Sequence, residues 1–190
     1  MFKTKRLALA VAAAMAAFAG GAAAGGAEKV HHGCTYTVEV VRDGQVIRSF
    51  QAYNLMPEQG RNDMLNVYFN RAAAQTGWFF GVFEGNSVPS DDLTADTWVS
   101  RLGECTAYTP ATRPAFSSSA AAAGETNNTA SRAEMTFTAA KTIYGAVIVS
   151  AAAKGSGSGV IASAVRFDDP QVLRSGDTLR LTGSFNLLSA

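Results

Sequence analysis

The sequence predicts a mainly β chain: an antiparallel β-sandwich or jelly-roll-like domain with one covering amphipathic helix over residues 57–71. Three observations carry that expectation. Short runs of alternating or continuously apolar residues recur along the chain, at 35–41, 143–150 and 178–187 among others. Turn formers separate them, and glycine alone supplies 18 of the 190 residues. Strands at such spacing, without helical crossovers between them, pair antiparallel and close into a sandwich.

Each element follows in order. Thr35 to Val41 alternates as a half-buried strand does, and Asp43-Gly44 is a strong two-residue hairpin signal. A second strand runs from Val46 to Tyr53. Pro57 opens the helix, where its missing N–H costs nothing. Met64, Leu65, Tyr68 and Phe69 share one helix face, which predicts core packing. Trp78 to Glu84 reads as a short buried strand, Ser87 to Asp96 as a polar loop, 96–99 as a turn of helix, and 106–108 and 113–116 as short strands. Residues 117–131 are small and polar, as in an exposed loop. The remainder is β: 132–138, 143–150 and 160–167, with the Gly-Ser loop 155–159 and turns at Asp169-Pro170 and Ser175-Gly176. The expected core is Trp78, Phe80, Phe83, Ile143, Val147, Val149, Val165 and Leu181.

Residues 1–33 stand apart as a leader or arm plus linker, leaving 34–190 as one domain. Lys3, Lys5 and Arg6 precede the apolar run from Leu7 to Ala19, and Ala22-Ala23-Ala24 follows. This is the pattern of a secretory signal peptide cleaved near Ala24. The same composition suits a retained Ala-rich helical segment, since alanine is the best helix former. The run is too short and alanine-rich for a stable membrane span.

Charge is balanced, with 16 Lys+Arg against 15 Asp+Glu. No basic surplus points to nucleic acid. Cys34 and Cys105 belong to no CxxC pair; they form one disulfide in an oxidising compartment or remain buried thiols in a reducing one. His31, His32 and Cys34 cluster, but no second cluster at a usual spacing completes a metal site. Asp91, Asp92, Asp96, Asp168 and Asp169 lie in turns without calcium-loop spacing. With only two histidines, both in the linker, no general base of the usual kind serves a Ser or Cys nucleophile. The chain is therefore expected to be non-enzymatic, with no catalytic, cofactor or metal residues.

Five motifs occur in order: Asn54-Leu55-Met56-Pro57-Glu58-Gln59-Gly60, Gly81-Val82-Phe83-Glu84-Gly85-Asn86, Glu104-Cys105-Thr106-Ala107-Tyr108, Thr112-Arg113-Pro114-Ala115-Phe116 and Lys141-Thr142-Ile143-Tyr144-Gly145. Together they resemble a family of small proteins from tailed bacteriophages and prophages, encoded among virion structural genes. The resemblance spans roughly residues 37–190, and residues 1–33 depart from it. It implies a virion structural role, as a capsid decoration or tail-associated accessory, with no catalytic residues to carry over. It also implies that Cys105, inside a motif, packs in the core, which disfavours a disulfide to Cys34.

The expected partners are other virion subunits, capsid or tail, and further copies of the chain, because decoration proteins follow capsid symmetry. Candidate contact residues are Trp98, Leu93 and Arg101 in the 86–103 loop, and Phe18 and Met15 in the arm; the 117–131 loop is a further contact element. The competing expectation is an exported periplasmic or surface β-sandwich module that recognises glycan or protein, with Trp98 as its stacking platform. A hydrolase with carboxylates in the 84–104 region ranks third.

Overall fold

The computed structural model describes residues 33–187. The Ala-rich segment, the cleavage position near Ala24, and the residues Met15, Phe18, His31 and His32 lie outside that range. Within it the protein is mainly β, as expected. Nine strands form two antiparallel sheets: β1 Gly33–Arg42, β2 Gln45–Tyr53, β3 Phe79–Phe83, β4 Tyr108–Thr109, β5 Glu125–Asn127, β6 Ala133–Phe137, β7 Lys141–Val149, β8 Ile161–Leu173 and β9 Thr178–Asn186. The larger sheet has the order β2-β1-β9-β6-β4, with β5 pairing the end of β9; the smaller is β3-β7-β8.

The opening hairpin forms as the sequence predicts. Asp43 and Gly44 both take positive φ, 50° and 77°, which matches the twist of the flanking strands. β1 alternates buried and half-exposed residues along its length, turning Tyr36, Val38 and Val40 inward. They meet Phe80, Val82, Ile148 and Val165 of the smaller sheet, together with Leu179 and Leu181 of β9, in one core. The other face of the smaller sheet is covered too. Phe83, Val147, Val149 and Ile161 pack there against Leu93, Trp98 and Leu102. Burial on both faces explains why β7 reads as a continuous apolar run.

Of the expected core, Phe80, Phe83, Ile143, Val147, Val149, Val165 and Leu181 are buried, whereas Trp78 is half-buried. Asp169-Pro170 is not a turn. It lies within β8, where the register jumps from Ile143↔Gln171 to Gly145↔Arg166, so Pro170 occupies a bulge on an edge strand and disturbs no ladder bond. The segment at 113–116 forms only a bridge, between Ala115 and Phe79.

The helix α1 spans Glu58–Phe69 and is seated in an unexpected way. Met64, Leu65, Tyr68 and Phe69 are 38%, 48%, 78% and 71% exposed, so the expectation that they pack in the core is corrected. The buried helix residue is Gly60. A side chain there would place its Cβ 2.7 Å from the Ile161 carbonyl oxygen and 2.9 Å from Ala162 Cα. α1 thus rests backbone-to-backbone on β8, and its large apolar residues are left outside.

The residues before and within its first turns fix this seat. Asn54 accepts from the Cys34 amide at 2.7 Å and donates to Ser163 Oγ at 2.7 Å, clipping the two sheets together. Tyr36 donates its hydroxyl to the same Ser163 Oγ at 2.8 Å. Leu55 and Ala164 exchange both main-chain hydrogen bonds. Gln59 Oε1 accepts from the amides of Ala95 and Ile161, and Arg61 holds Asp91 with both terminal nitrogens.

Candidate functional site

An apolar groove of about 650 Å3 runs alongside α1. One wall is the helix stripe Gly60, Met64, Val67 and Tyr68, positions three and four apart that share a face. Trp78, Phe116, Phe185 and Ala162 form the floor, and Ala121, Gly124 and Leu187 the far wall. Polar groups stay at the rim, where Gln75 donates to Asp63 at 2.8 Å.

The floor is continuous with the core. Tyr36, Phe80, Phe116 and Phe185 make successive edge-to-face contacts, with ring centroids 6.1, 5.7 and 5.6 Å apart. Such pairs are favoured by the ring quadrupoles. The 117–131 loop, expected as a contact element, carries β5 and supplies the far wall. Tyr68 and Phe69, both exposed, pack edge-to-face at 4.8 Å at the C-terminal end of the helix. Contiguous exposed apolar surface is a general feature of interaction sites on folded proteins.

The sequence-predicted contact residues divide differently. Trp98 is 0% exposed and Leu93 is 1% exposed, so neither presents a contact surface, which corrects that expectation. The cause is Gly81 on β3, where a Cβ would lie 2.7 Å from the Trp98 ring; the missing side chain lets the indole approach the strand. The turn of helix expected at 96–99 forms as α2, Ala95–Trp98, and a π-helical turn at Val99–Gly103 follows it. Thr94 caps α2 and accepts from the Thr97 amide. Arg101 is exposed and pairs with Asp92 at 3.0 Å.

Beneath this cover lies a buried ion pair that single-residue reading of the sequence does not reveal. Arg113 donates from Nε to Glu104 Oε1 at 2.7 Å and from Nη2 to Glu104 Oε2 at 2.8 Å. Nη1 donates to the carbonyl of Ala151 and Nη2 also to that of Ser156, and the Gly155 amide donates to Glu104. The guanidinium sits 4.9 Å over the Trp98 ring. The pair staples the 150–160 loop to the 104–108 and 112–116 segments and is buried from solvent.

Four carboxylates of the 84–104 region are paired with cations: Glu84 with Lys141, Asp91 with Arg61, Asp92 with Arg101 and Glu104 with Arg113. Asp91 is held below the usual carboxylate range by hydrogen bonds from Arg61, and Asp92 by those from Ser90 and Arg101. Cys34 and Cys105 are both free and buried, and burial pushes each thiol up to about 12. Among the described residues, no three His, Cys, Asp or Glu side chains converge as a metal would require, and no helix is long and apolar enough to cross a membrane. No protein-family model and no curated protein matches this chain.

Proposed function

We propose that this protein is a non-catalytic structural component of a tailed-bacteriophage virion, a capsid decoration or tail-associated accessory. It acts through protein–protein contacts, as a homo-oligomer on a symmetric particle. The observation that carries this function is the outward apolar face of α1 with its groove. A helix that buries a glycine and displays Met64, Leu65, Tyr68 and Phe69 is built to be covered by another subunit. The five ordered motifs support the same conclusion from the sequence side. Asn54 and Leu55 of the first motif clip the sheets, and Gly81 and the Glu104–Arg113 pair seat Trp98. These motifs thus maintain the platform that presents α1.

The engaged carboxylates at Asp91 and Asp92 and the protonated, buried thiols support a non-catalytic role. The competing exported module loses the aromatic platform first assigned to it, because Trp98 lies in the core. Peptide mass spectrometry of purified particles tests the proposal. Recovery at stoichiometric copy number supports it; absence from particles, with the protein in a periplasmic fraction, overturns it.

A further inference from the structure

A second surface, on the outer face of the larger sheet, has a different chemistry. Strand register places Tyr53, Thr35, Ser184 and Asn127 in one row across β2, β1, β9 and β5. Gln51, Thr37 and Thr182 form the next row, with Thr129 beside it. These side chains line a shallow cleft of about 340 Å3. β5 stands along one side because it pairs only with the last residues of β9, and Tyr53, 78% exposed, stands on the other.

The third row along the same strands shows what a self-satisfied surface looks like. Glu39, Arg180 and Glu134 are in register there, and Arg180 binds Glu39 at 3.2 Å and Glu134 at 2.7 Å, while Arg132 also reaches Glu39. In the first two rows, by contrast, the side chains of Thr35, Thr37, Gln51, Tyr53 and Thr182 make no hydrogen bond with the described residues. Only the β5 side is internally engaged, through Ser184 and Asn127 donating to Glu125. Half-buried hydroxyls that keep their donors and acceptors free, beside one exposed aromatic ring, are complementary to a hydroxyl-rich ligand with an apolar C–H face.

We propose that this cleft binds a short neutral oligosaccharide, with Tyr53 stacking on a pyranose ring and the Thr35, Thr37 and Thr182 hydroxyls bonding its hydroxyl groups. Three strand spacings give a platform of about 14 Å, the length of a short oligosaccharide. The nearby arginines are occupied by Glu39 and Glu134, so no free cation of the third row selects phosphate or sulfate. β1 and β9 are paired on both sides, so the only open strand edge among the described strands beside the cleft is that of β2, at its side and not in its floor. Glu125 of β5 lines both this cleft and the α1 groove, but Tyr53, Thr35, Thr37 and Thr182 line the cleft without lining the groove.

The test is a panel of malto-, cello-, xylo- and chito-oligosaccharides, with heparin as the anionic comparison, titrated calorimetrically into the full chain. Binding to at least one neutral oligosaccharide is expected, weakened tenfold or more by Tyr53→Ala and measurably by Thr37→Val. Tyr68→Ala, on α1, should leave it unchanged. Circular dichroism and thermal melting establish that each variant is folded. No binding to any neutral probe, binding to heparin alone, or neutral binding indifferent to Tyr53→Ala and Thr37→Val in folded variants would each overturn the proposal.

Discussion

Arg113 and Glu104 form a doubly hydrogen-bonded ion pair with side chains 0% and 1% exposed, roofed by the Trp98 indole. Nine residues apart in sequence, they join the chain leaving the π-helical turn to the segment that bridges β3. Removing one partner leaves the other charge buried without a counter-ion. Arg113→Met or Glu104→Gln should therefore cost about 3–5 kcal/mol, measured by denaturant unfolding. A loss below about 1 kcal/mol would mean that solvent reaches the pair.

The seat of α1 depends on Gly60. Gly60→Ala would gain helix propensity of about 1 kcal/mol in a free helix, yet here its Cβ meets the β8 backbone at 2.7 Å. The clash should prevail, lowering the melting temperature and exposing α1 to limited proteolysis. A variant more stable than wild type would show that the helix can shift off β8 at little cost.

Acid sensitivity should centre on Asp177. Its carboxylate is held below the usual range by Arg42, at 2.7 and 2.8 Å, and by the Arg174 amide, against an opposing desolvation effect. A depressed folded pKa contributes stability above the unfolded value of about 4 and loses it as pH falls through the folded value. Wild type should therefore lose more stability between neutral pH and pH 3 than Asp177→Asn does. Equal acid sensitivity in the two proteins would contradict this assignment.

Both thiols should be inert in the native state. Burial pushes Cys34 and Cys105 up to about 12, so at pH 8 they are protonated as well as inaccessible. A thiol-reactive chromophore should label neither before denaturation and both after it. Labelling of the native protein would reveal local opening near β1 or the 104–108 segment.

The strands were legible from the sequence because their signals are local. The Asp43-Gly44 turn, the alternation from Thr35 to Val41 and the apolar run of β7 each record their own environment. What escaped were relationships between distant positions. Periodicity put Met64 and Tyr68 on one helix face, but whether that face turns inward was decided by Gly60 and the β8 backbone, more than a hundred residues away by Ile161. Trp98 looked like an exposed aromatic in a polar loop; the vacancy that buries it is at Gly81, on another strand. A glycine inside an apolar strand was the available signal for close approach. The polar rows of the outer sheet face appear only once the register is known.

We propose that the α1 groove joins this protein to other virion subunits. The most direct test adds purified wild-type protein, or the double variant Met64→Asp, Tyr68→Asp, to particles assembled without it and measures co-sedimentation. Both substitutions fall on exposed positions, so folding should be preserved. The groove account predicts saturable binding of wild type and at least tenfold weaker binding of the folded variant. Equal binding of the two proteins would contradict it.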